Sequence, residues 1–409
     1  MKAKFIRNIP LLLMEINTYI VILLAFLSKG EGILNFILFF NFILWLIAIK
    51  FDFSKANFFK DSVSICFYLY ILSIIISIFF SIEPSYSLSQ AIKEPLKSFL
   101  FFPVFLWVIN NEIKLKRVAF ILLLLLIIYN LNGYYSFFFK NIYYSDTWLL
   151  HTTLNRYGGL LSLLISFGIL YFLYERNINI RILTALIIIA TVLAIILNAT
   201  RTAYLSLFII LILWIVFYFR KKFIKGLFSF LLFIGILGII GWYSSDFVKT
   251  KIVKTKEDFT TFNYRTIAWI SAIEASLNRP IVGWGYGKKI FHSDTPFMNT
   301  SFKTSPKKLN IGLETPHNTF LAVLFHQGII GFIPFVGMFF LIIKKLLFKL
   351  NSERNFLNLL RFSVLSSFIG YFGIFAFFNP TKFFYFSIFI SIGLVIFNSI
   401  KKQDENSNS

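Results

Sequence analysis

Apolar stretches long enough to cross a bilayer recur along almost the whole chain. A transmembrane helix needs roughly 17 to 25 mostly apolar residues. About twelve such stretches fit into the 409 residues, approximately 9–28, 32–49, 62–82, 92–109, 118–134, 157–173, 182–198, 202–219, 226–243, 319–343, 362–378 and 383–400. Only 14% of the residues are charged, against about a quarter in soluble domains. The chain is therefore predicted to be a single all-α polytopic membrane domain over residues 1–409.

The distribution of positive charge predicts the orientation of the helices. If the N-terminus is cytoplasmic, 22 of the 40 Lys and Arg residues fall in inside segments and 7 in short outside loops. The remaining 11 lie between Tyr243 and His317. Cytoplasmic loops carry an excess of Lys and Arg, whereas long loops translocate regardless of charge. Both termini are thus predicted inside, and residues 244–316 form a large outside loop between the ninth and tenth helices. The net charge of +22 then reflects topology and predicts no nucleic-acid partner.

One amphipathic helix is predicted inside the long loop, over residues 263–279. Apolar residues recur at intervals of three and four, Asn263 is a good N-cap, and Pro280 ends the helix. The apolar stripe consists of Ile267, Ile270, Ile273 and Leu277. It is expected to lie on the membrane domain or in the membrane interface.

A glycine-rich turn and a histidine motif follow this helix. Gly283, Gly285 and Gly287 form a flexible turn that allows the backbone to approach another group closely. A phosphate cradle is a weaker alternative, because the spacing typical of nucleotide-binding loops is absent. Further on, Thr315 is predicted to cap a helix with Pro316 at its first position. His317 and Asn318 then fall in its first turn.

The positive end of a helix dipole favours neutral imidazole, which is the state a general base requires. His317 is therefore a candidate base, and the alternative is a structural histidine that hydrogen-bonds at an interface. His326, on the same helix, is expected to be a packing residue with a hydrogen-bond partner.

Two arginines are candidate anion-binding residues. Arg201 lies in a very short hairpin at the outer end of a membrane helix. The positive-inside rule disfavours arginine on this outer side of the membrane. Arg265 lies at the start of the loop helix. Two guanidinium groups can bind a diphosphate bidentately, although each alone is as easily explained by a side chain reaching toward the membrane surface. The outside segments contain no metal-ligand motif, so neither a metal nor a cofactor is predicted.

In order and placement, these motifs resemble the bacterial O-antigen ligases and the wider superfamily of O-antigen polymerases and O-linked oligosaccharyltransferases. The matching residues are Arg201-Thr202, Tyr264-Arg265 with Trp269, Pro280 with Gly283-Trp284-Gly285-Tyr286-Gly287, and Pro316-His317-Asn318-Thr319-Phe320-Leu321 with Gly328 and Gly331. Each motif alone is loose. The twelve-helix layout with one dominant outside loop extends the resemblance to nearly the whole chain.

The resemblance implies a membrane-embedded glycosyltransferase of the GT-C class in the bacterial inner membrane, with its active site facing the periplasm. The donor would be a glycan on undecaprenyl diphosphate and the acceptor a sugar hydroxyl of the lipid A core. His317 would take the proton of that hydroxyl, and Arg201 and Arg265 would hold the diphosphate, in a metal-independent, inverting transfer. Asn318 would orient His317 or cap the turn, and Tyr264, Gly283 and Gly285 would support the site.

Three alternatives to a ligase remain open. An O-antigen polymerase or an O-linked oligosaccharyltransferase would use the same donor. The single dominant outside loop favours a ligase over a polymerase. A flippase or other transporter of lipid-linked glycans is less favoured, because only Glu15 and His326 lie well inside a predicted span.

Overall fold

The protein is helical throughout its described parts. A computed structural model describes residues 2–27, 30–51, 60–144, 146–147, 150, 152–219, 260–291, 315–350 and 354–407, with a few scattered positions between 228 and 250. No β-strand occurs among these residues, which agrees with the predicted all-α fold. The helices are α1 (Lys2–Phe26), α2 (Glu31–Phe51), α3 (Ser62–Phe79), α4 (Pro84–Lys93), α5 (Pro95–Val108), α6 (Glu112–Lys140), α7 (Leu154–Tyr174), α8 (Ile178–Asn198), α9 (Arg201–Phe219), α10 (Thr260–Asn278), α11 (Thr319–Leu347), α12 (Phe356–Phe378) and α13 (Phe383–Ser407).

Nine of the described helices are long and apolar enough to cross a membrane, namely α2, α3, α6, α7, α8, α9, α11, α12 and α13. Helix α1 adds a shorter apolar segment, Pro10–Phe26. The prediction of a multi-pass membrane protein is confirmed at this level. The predicted ninth span and most of the predicted loop 244–316 lie outside the described residues, so the total of twelve spans and the position of the loop stay predictions.

The predicted fourth span, residues 92–109, is interrupted near its start and is not among these nine helices. Two shorter helices, α4 and α5, occupy this segment, and they meet at Glu94, whose backbone angles (φ −122°, ψ −55°) leave the helical region. Pro95 explains the break, because proline lacks an N–H group to donate and also restricts the residue before it. Helix α5 has only 14 residues and is almost entirely buried. It packs against α13, α2 and α1.

Aromatic packing fills the core of the bundle. Among the helices of spanning length, α7, α12 and α13 are the most buried, and the others pack around them. Phenylalanine rings stack between helices, with centroids 4.0 Å apart for Phe67 and Phe102 and again for Phe217 and Phe362. Stacked and edge-on rings add to the stabilisation that burial of apolar surface supplies. Many of the phenylalanines among the described residues are thus used for packing.

Several helices begin at one end of the bundle, which we call the site end. It is the end at which α7, α9, α11 and α13 start. Hydrogen bonds hold these starts together: Arg156 Nη2 donates to the Tyr385 hydroxyl at 2.6 Å, and Asn379 Nδ2 donates to Thr202 Oγ1 at 2.9 Å. Residues far apart in the sequence are brought together there.

Helix α11 is interrupted at Gly328, whose backbone (φ 62°, ψ −160°) is not helical. The interruption leaves backbone groups of α11 without their usual partners within the helix. The segment that follows α10 satisfies them, because Ile329 N donates to Pro280 O at 2.8 Å and Ile330 N donates to Ile281 O at 3.3 Å. The break in α11 is therefore the place where α10 and its following loop are anchored.

Candidate functional site

The N-terminus of α11 differs from the prediction in its capping residue. Asn318, and not Thr315, is the N-cap: Asn318 Oδ1 accepts from Leu321 N at 3.1 Å. Thr315 Oγ1 instead accepts from His317 N at 3.3 Å. Both Thr and Asn are good N-caps, so sequence alone does not choose between them. Of the two roles considered for Asn318, the structure shows capping.

His317 lies just before α11 rather than in its first turn. Its φ of 52° places it in the left-handed region, which only a few per cent of non-glycine residues adopt, with asparagine, aspartate and histidine the most frequent among them. Such strain costs on the order of 1–3 kcal/mol and is found mostly at functional sites. The imidazole is half-buried. This unfavourable backbone is consistent with a functional reason for the histidine.

The surroundings of His317 favour its uncharged form. Burial lowers the pKa of His317 from its ordinary value of 6.5, and the positive charges of Arg265 and Lys288 lower it further. A histidine with a lowered pKa keeps a lone pair available at neutral pH. The electrostatic setting is therefore suited to accepting a proton.

Arg201 and Arg265 act on each other electrostatically. Helix α9 begins at Arg201, directly after a tight hairpin in which Ala199 has a φ of 52°. Arg265 is half-buried on α10, and its pKa is lowered by burial and then by the charge of Arg201. Two like charges near each other are unfavourable unless an anion neutralises them. The structure thus brings Arg201 near Arg265, and Arg265 near His317.

A chain of hydrogen bonds ties the start of α9 to the start of α11. Asn379 Nδ2 donates to Thr202 Oγ1, and Thr319 Oγ1 donates to Asn379 O at 3.0 Å. Thr381 N in turn donates to Thr319 Oγ1 at 3.1 Å. Thr202 follows Arg201, and Thr319 lies two residues after His317. The turn between α12 and α13 therefore fixes Arg201 relative to His317.

Helix α10 packs with a different face from the predicted one. Its small residues, Ala268, Ala272 and Ala275, are buried, and α10 packs against α11. Ile270, Ile273 and Leu277 of the predicted stripe are exposed, so the expectation that the stripe lies on the membrane domain is wrong. Small residues allow helices a close approach within membranes, which explains the choice of the alanine face. The exposed stripe agrees with the alternative placement in the membrane interface.

The start of α10 also differs from the prediction. The helix begins at Thr260, so Asn263 lies within it and is not its N-cap. The helix ends at Asn278, shortly before Pro280, as predicted. Tyr264 belongs to the first turns of α10, and its side chain lies outside what the structure describes. Trp269, one turn after Arg265, packs edge-on against Phe377 with ring centroids 5.4 Å apart.

The glycine-rich turn is used to join α10 to α11. A Cβ on Gly283 would lie 2.5 Å from Gln327 N, and one on Gly285 would lie 2.1 Å from Ser81 Oγ. Trp284 N donates to Phe325 O and Gly285 N donates to His326 O, at 3.0 and 3.1 Å. The close approach is thus made to the protein itself, and these N–H groups are not free to cradle a phosphate.

His326 takes part in the same junction. Its Nδ1 lies 2.8 Å from Gly285 O, and the side chain is buried. The expectation of a packing residue with a hydrogen-bond partner is confirmed.

Sequence reasoning missed the residues that hold the site together. Asn379 and Thr381 lie in a short polar break, residues 379–382, between two long apolar runs. The sequence shows this break as a connection between two helices, and no local pattern indicates its role at the site. Lys288 was likewise not singled out, although its charge acts on His317.

The comparison with protein families extends these observations. Residues 186–336 match a family model described as O-Antigen ligase. This range runs from α8 into α11 and contains Arg201, Arg265 and His317. No curated protein matches the chain. Members of the matched family are membrane glycosyltransferase-like enzymes of the ligase and polymerase type. The segment from α8 into α11 is therefore similar to the O-antigen ligase family, and this match supports the resemblance of the chain to that superfamily.

Proposed function

We propose that the protein is an O-antigen ligase, which transfers a glycan from undecaprenyl diphosphate to a sugar hydroxyl of the lipid A core. One observation carries the proposal. Two mutually repelling guanidinium groups, Arg201 and Arg265, stand beside a histidine whose pKa is lowered. This combination suits a reaction in which a hydroxyl loses a proton while a diphosphate leaves.

The reaction is a single displacement at the anomeric carbon of the donor. The acceptor hydroxyl oxygen forms a bond to this carbon, its proton passes to a ring nitrogen of His317, and the bond to the diphosphate oxygen breaks. The leaving undecaprenyl diphosphate takes the electron pair, and Arg201 and Arg265 stabilise the added negative charge. Attack opposite the leaving group inverts the anomeric centre. The donor bond supplies the free energy, so the step needs no nucleotide, and in this proposal the two arginines neutralise the leaving group in place of a metal.

In this proposal the site faces the periplasm, with both termini in the cytoplasm. A lipid-linked donor presents its diphosphate at the membrane surface. Arg201 begins a helix long and apolar enough to span a membrane, so it lies at the depth that such a donor requires. In this proposal, helix α10 places Arg265 at the same depth in the membrane as Arg201.

Purified protein in detergent, given a lipid-linked polymer and rough lipopolysaccharide, tests the function. We expect polymer to appear on the lipopolysaccharide, detected as a ladder in gel electrophoresis. With the lipid-linked donor alone, we expect no lengthening of the lipid-linked glycan. Lengthening in place of transfer would identify a polymerase, and movement of intact donor across vesicles without either product would identify a transporter.

The variant Arg265→Gln is expected to lower kcat/KM and to shift its pH dependence. Loss of one group that stabilises developing negative charge costs roughly 2–4 kcal/mol, or roughly 30- to 1,000-fold. Because Arg265 also lowers the pKa of His317, its removal raises that pKa. His317 then becomes protonated at a higher pH, so the acidic limb of the kcat/KM profile should shift to higher pH. Initial rates between pH 4 and 8 measure both effects.

Lys288→Gln is the matched control, because Lys288 also lowers the pKa of His317 but is exposed and has no proposed contact with substrate. The acidic limb should shift in the same direction, and kcat/KM at pH 8 should stay within about threefold of wild type. An unchanged acidic limb in both variants would contradict the assignment of His317 as the base.

A further inference from the structure

A charged cavity opens at the site end, beside the groups that carry the proposed reaction. It measures about 490 Å³ and lies between the ends of α1, α2, α5, α7 and α13. This volume is within the range of small-molecule sites. Its charged lining consists of Glu31, Glu94, Lys97, Arg156 and Lys382. Leucines of α1 and α2 form its apolar wall.

The charges in the cavity do not balance. Lys97 Nζ lies 3.1 Å from Glu31 Oε1, and Lys382 Nζ lies 3.9 Å from Glu94 Oε1. These two pairs use both carboxylates of the lining. Arg156 is the third cation, and none of the ion pairs among the described residues includes it. Among the residues that the structure describes, the lining of the cavity therefore has one more positive than negative charge.

Arg156 is held in place by an aromatic neighbour. Its Nη2 donates to the Tyr385 hydroxyl at 2.6 Å, and its guanidinium lies 5.9 Å from the centre of the Tyr385 ring. The Nε of Arg156 is buried and makes no hydrogen bond within the described residues. A guanidinium removed from water without an anionic partner is costly. It is also geometrically suited to bind a phosphate.

The cavity is connected to the proposed reaction site through one short segment. Lys382 follows Thr381, which hydrogen-bonds to Thr319 at the start of α11. Lys288 lowers the pKa of both His317 and Lys382, so it lies within electrostatic reach of the two groups. A substrate that occupies the cavity would thus extend toward His317.

We propose that this cavity binds a phosphate group of the acceptor glycolipid, with Arg156 as the principal phosphate ligand. The proposal rests on the proposed function, in which Arg201 and Arg265 hold the donor diphosphate. In this proposal the acceptor supplies the second anionic group. The apolar wall from α1 and α2 suits a ligand that arrives from the membrane. Lys97 and Lys382 provide further hydrogen-bond donors to its phosphate.

The test combines a variant with a modified substrate. The acceptor KM is measured for wild type and for Arg156→Gln, using rough lipopolysaccharide with its phosphates intact and after chemical removal of its phosphates. With the phosphorylated acceptor, Arg156→Gln should raise the acceptor KM roughly tenfold or more, as expected for loss of a hydrogen bond between charged groups. With the dephosphorylated acceptor, wild type and variant should be alike. The donor KM should not change.

Two further variants separate charge from structure. Tyr385→Phe removes the hydrogen bond to Arg156 but keeps the charge, so its effect on the acceptor KM should be smaller. Arg181→Gln is the matched control, because Arg181 lies at the start of α8, at the opposite end of the bundle, with its guanidinium 5.3 Å from the centre of the Phe172 ring. It should leave both KM values unchanged.

Direct binding makes the outcome independent of turnover. Binding of the two acceptors to detergent-purified wild type and Arg156→Gln is measured in the absence of donor. Phosphate-dependent binding that is lost in Arg156→Gln supports the proposal, even in a preparation that shows no transfer and so contradicts the ligase function. Equal losses with both acceptors, a raised donor KM, or no change would each overturn the proposal while leaving the proposed function intact.

Discussion

The variant His317→Asn is expected to lower glycan transfer by about 10²- to 10⁴-fold, the usual contribution of a general base. Asparagine cannot accept the proton of the attacking hydroxyl at neutral pH. It does tolerate the left-handed backbone that His317 adopts, with φ at 52°. Folding should therefore be preserved, and the loss should appear in kcat. The measurement is the initial rate of polymer transfer at matched protein concentration, together with the thermal unfolding midpoint.

His317→Gly provides the second half of this experiment. Glycine relieves the backbone strain, so this variant should be at least as stable as wild type, and it leaves space beside the acceptor. Added imidazole should restore part of its transfer rate. Restoration is expected only if the missing group is a base, since a lost structural hydrogen bond is not replaced in this way. Transfer by His317→Asn within tenfold of wild type would refute the role of His317.

The sequence predicted the helices well and their packing faces poorly. Apolar runs of spanning length became helices because a bilayer, or a core of other helices, requires backbone groups to be paired within each segment. Pro280 was correctly placed after the end of α10. The sequence predicts two places for the apolar stripe of α10, the membrane domain or the membrane interface, and the exposure of the stripe agrees with the second. The large apolar residues of α10 do not form its packed face. In a membrane protein, Ala272 and Ala275 provide that face instead.

The candidate site was predictable as a set of residues and not as an arrangement. Arg201, Arg265 and His317 were identified by their types and local settings. Their grouping depends on Asn379, which joins Thr202 to Thr319 across separations of 177 and 60 residues. No local sequence pattern predicts a contact between residues so far apart in the chain. The charged cavity has no local sequence pattern for the same reason, because its five charges come from three separate helices and two connections between helices.

The variant Gly328→Ala is expected to have the largest effect on stability. The φ of 62° and ψ of −160° at this position belong to a region that is essentially restricted to glycine. A Cβ would lie 2.3 Å from Ile281 O and 2.7 Å from Pro280 O. Both are backbone atoms, which cannot move aside as a flexible side chain does. Strain and overpacking together should lower the free energy of unfolding by about 3 kcal/mol or more.

The same variant should reduce transfer without touching any proposed catalytic group. The hydrogen bonds from Ile329 N and Ile330 N to the segment after α10 cannot form once that segment is displaced. Helix α10 then loses its anchor, and Arg265 moves away from His317. The residual activity should show an acidic limb shifted to higher pH, as in Arg265→Gln, because the charge that lowers the pKa of His317 has moved.

Gly32→Ala is the matched control for this glycine, because it lies in α2 and a Cβ there meets nothing within 4 Å. Alanine is favoured over glycine in helices by about 1 kcal/mol, so this variant should be slightly more stable and fully active. The measurements are the thermal unfolding midpoint and the pH profile of kcat/KM for each of the two variants. If Gly328→Ala matches Gly32→Ala in both, the junction between α10 and α11 does not position Arg265, and the proposed site loses the element that assembles it.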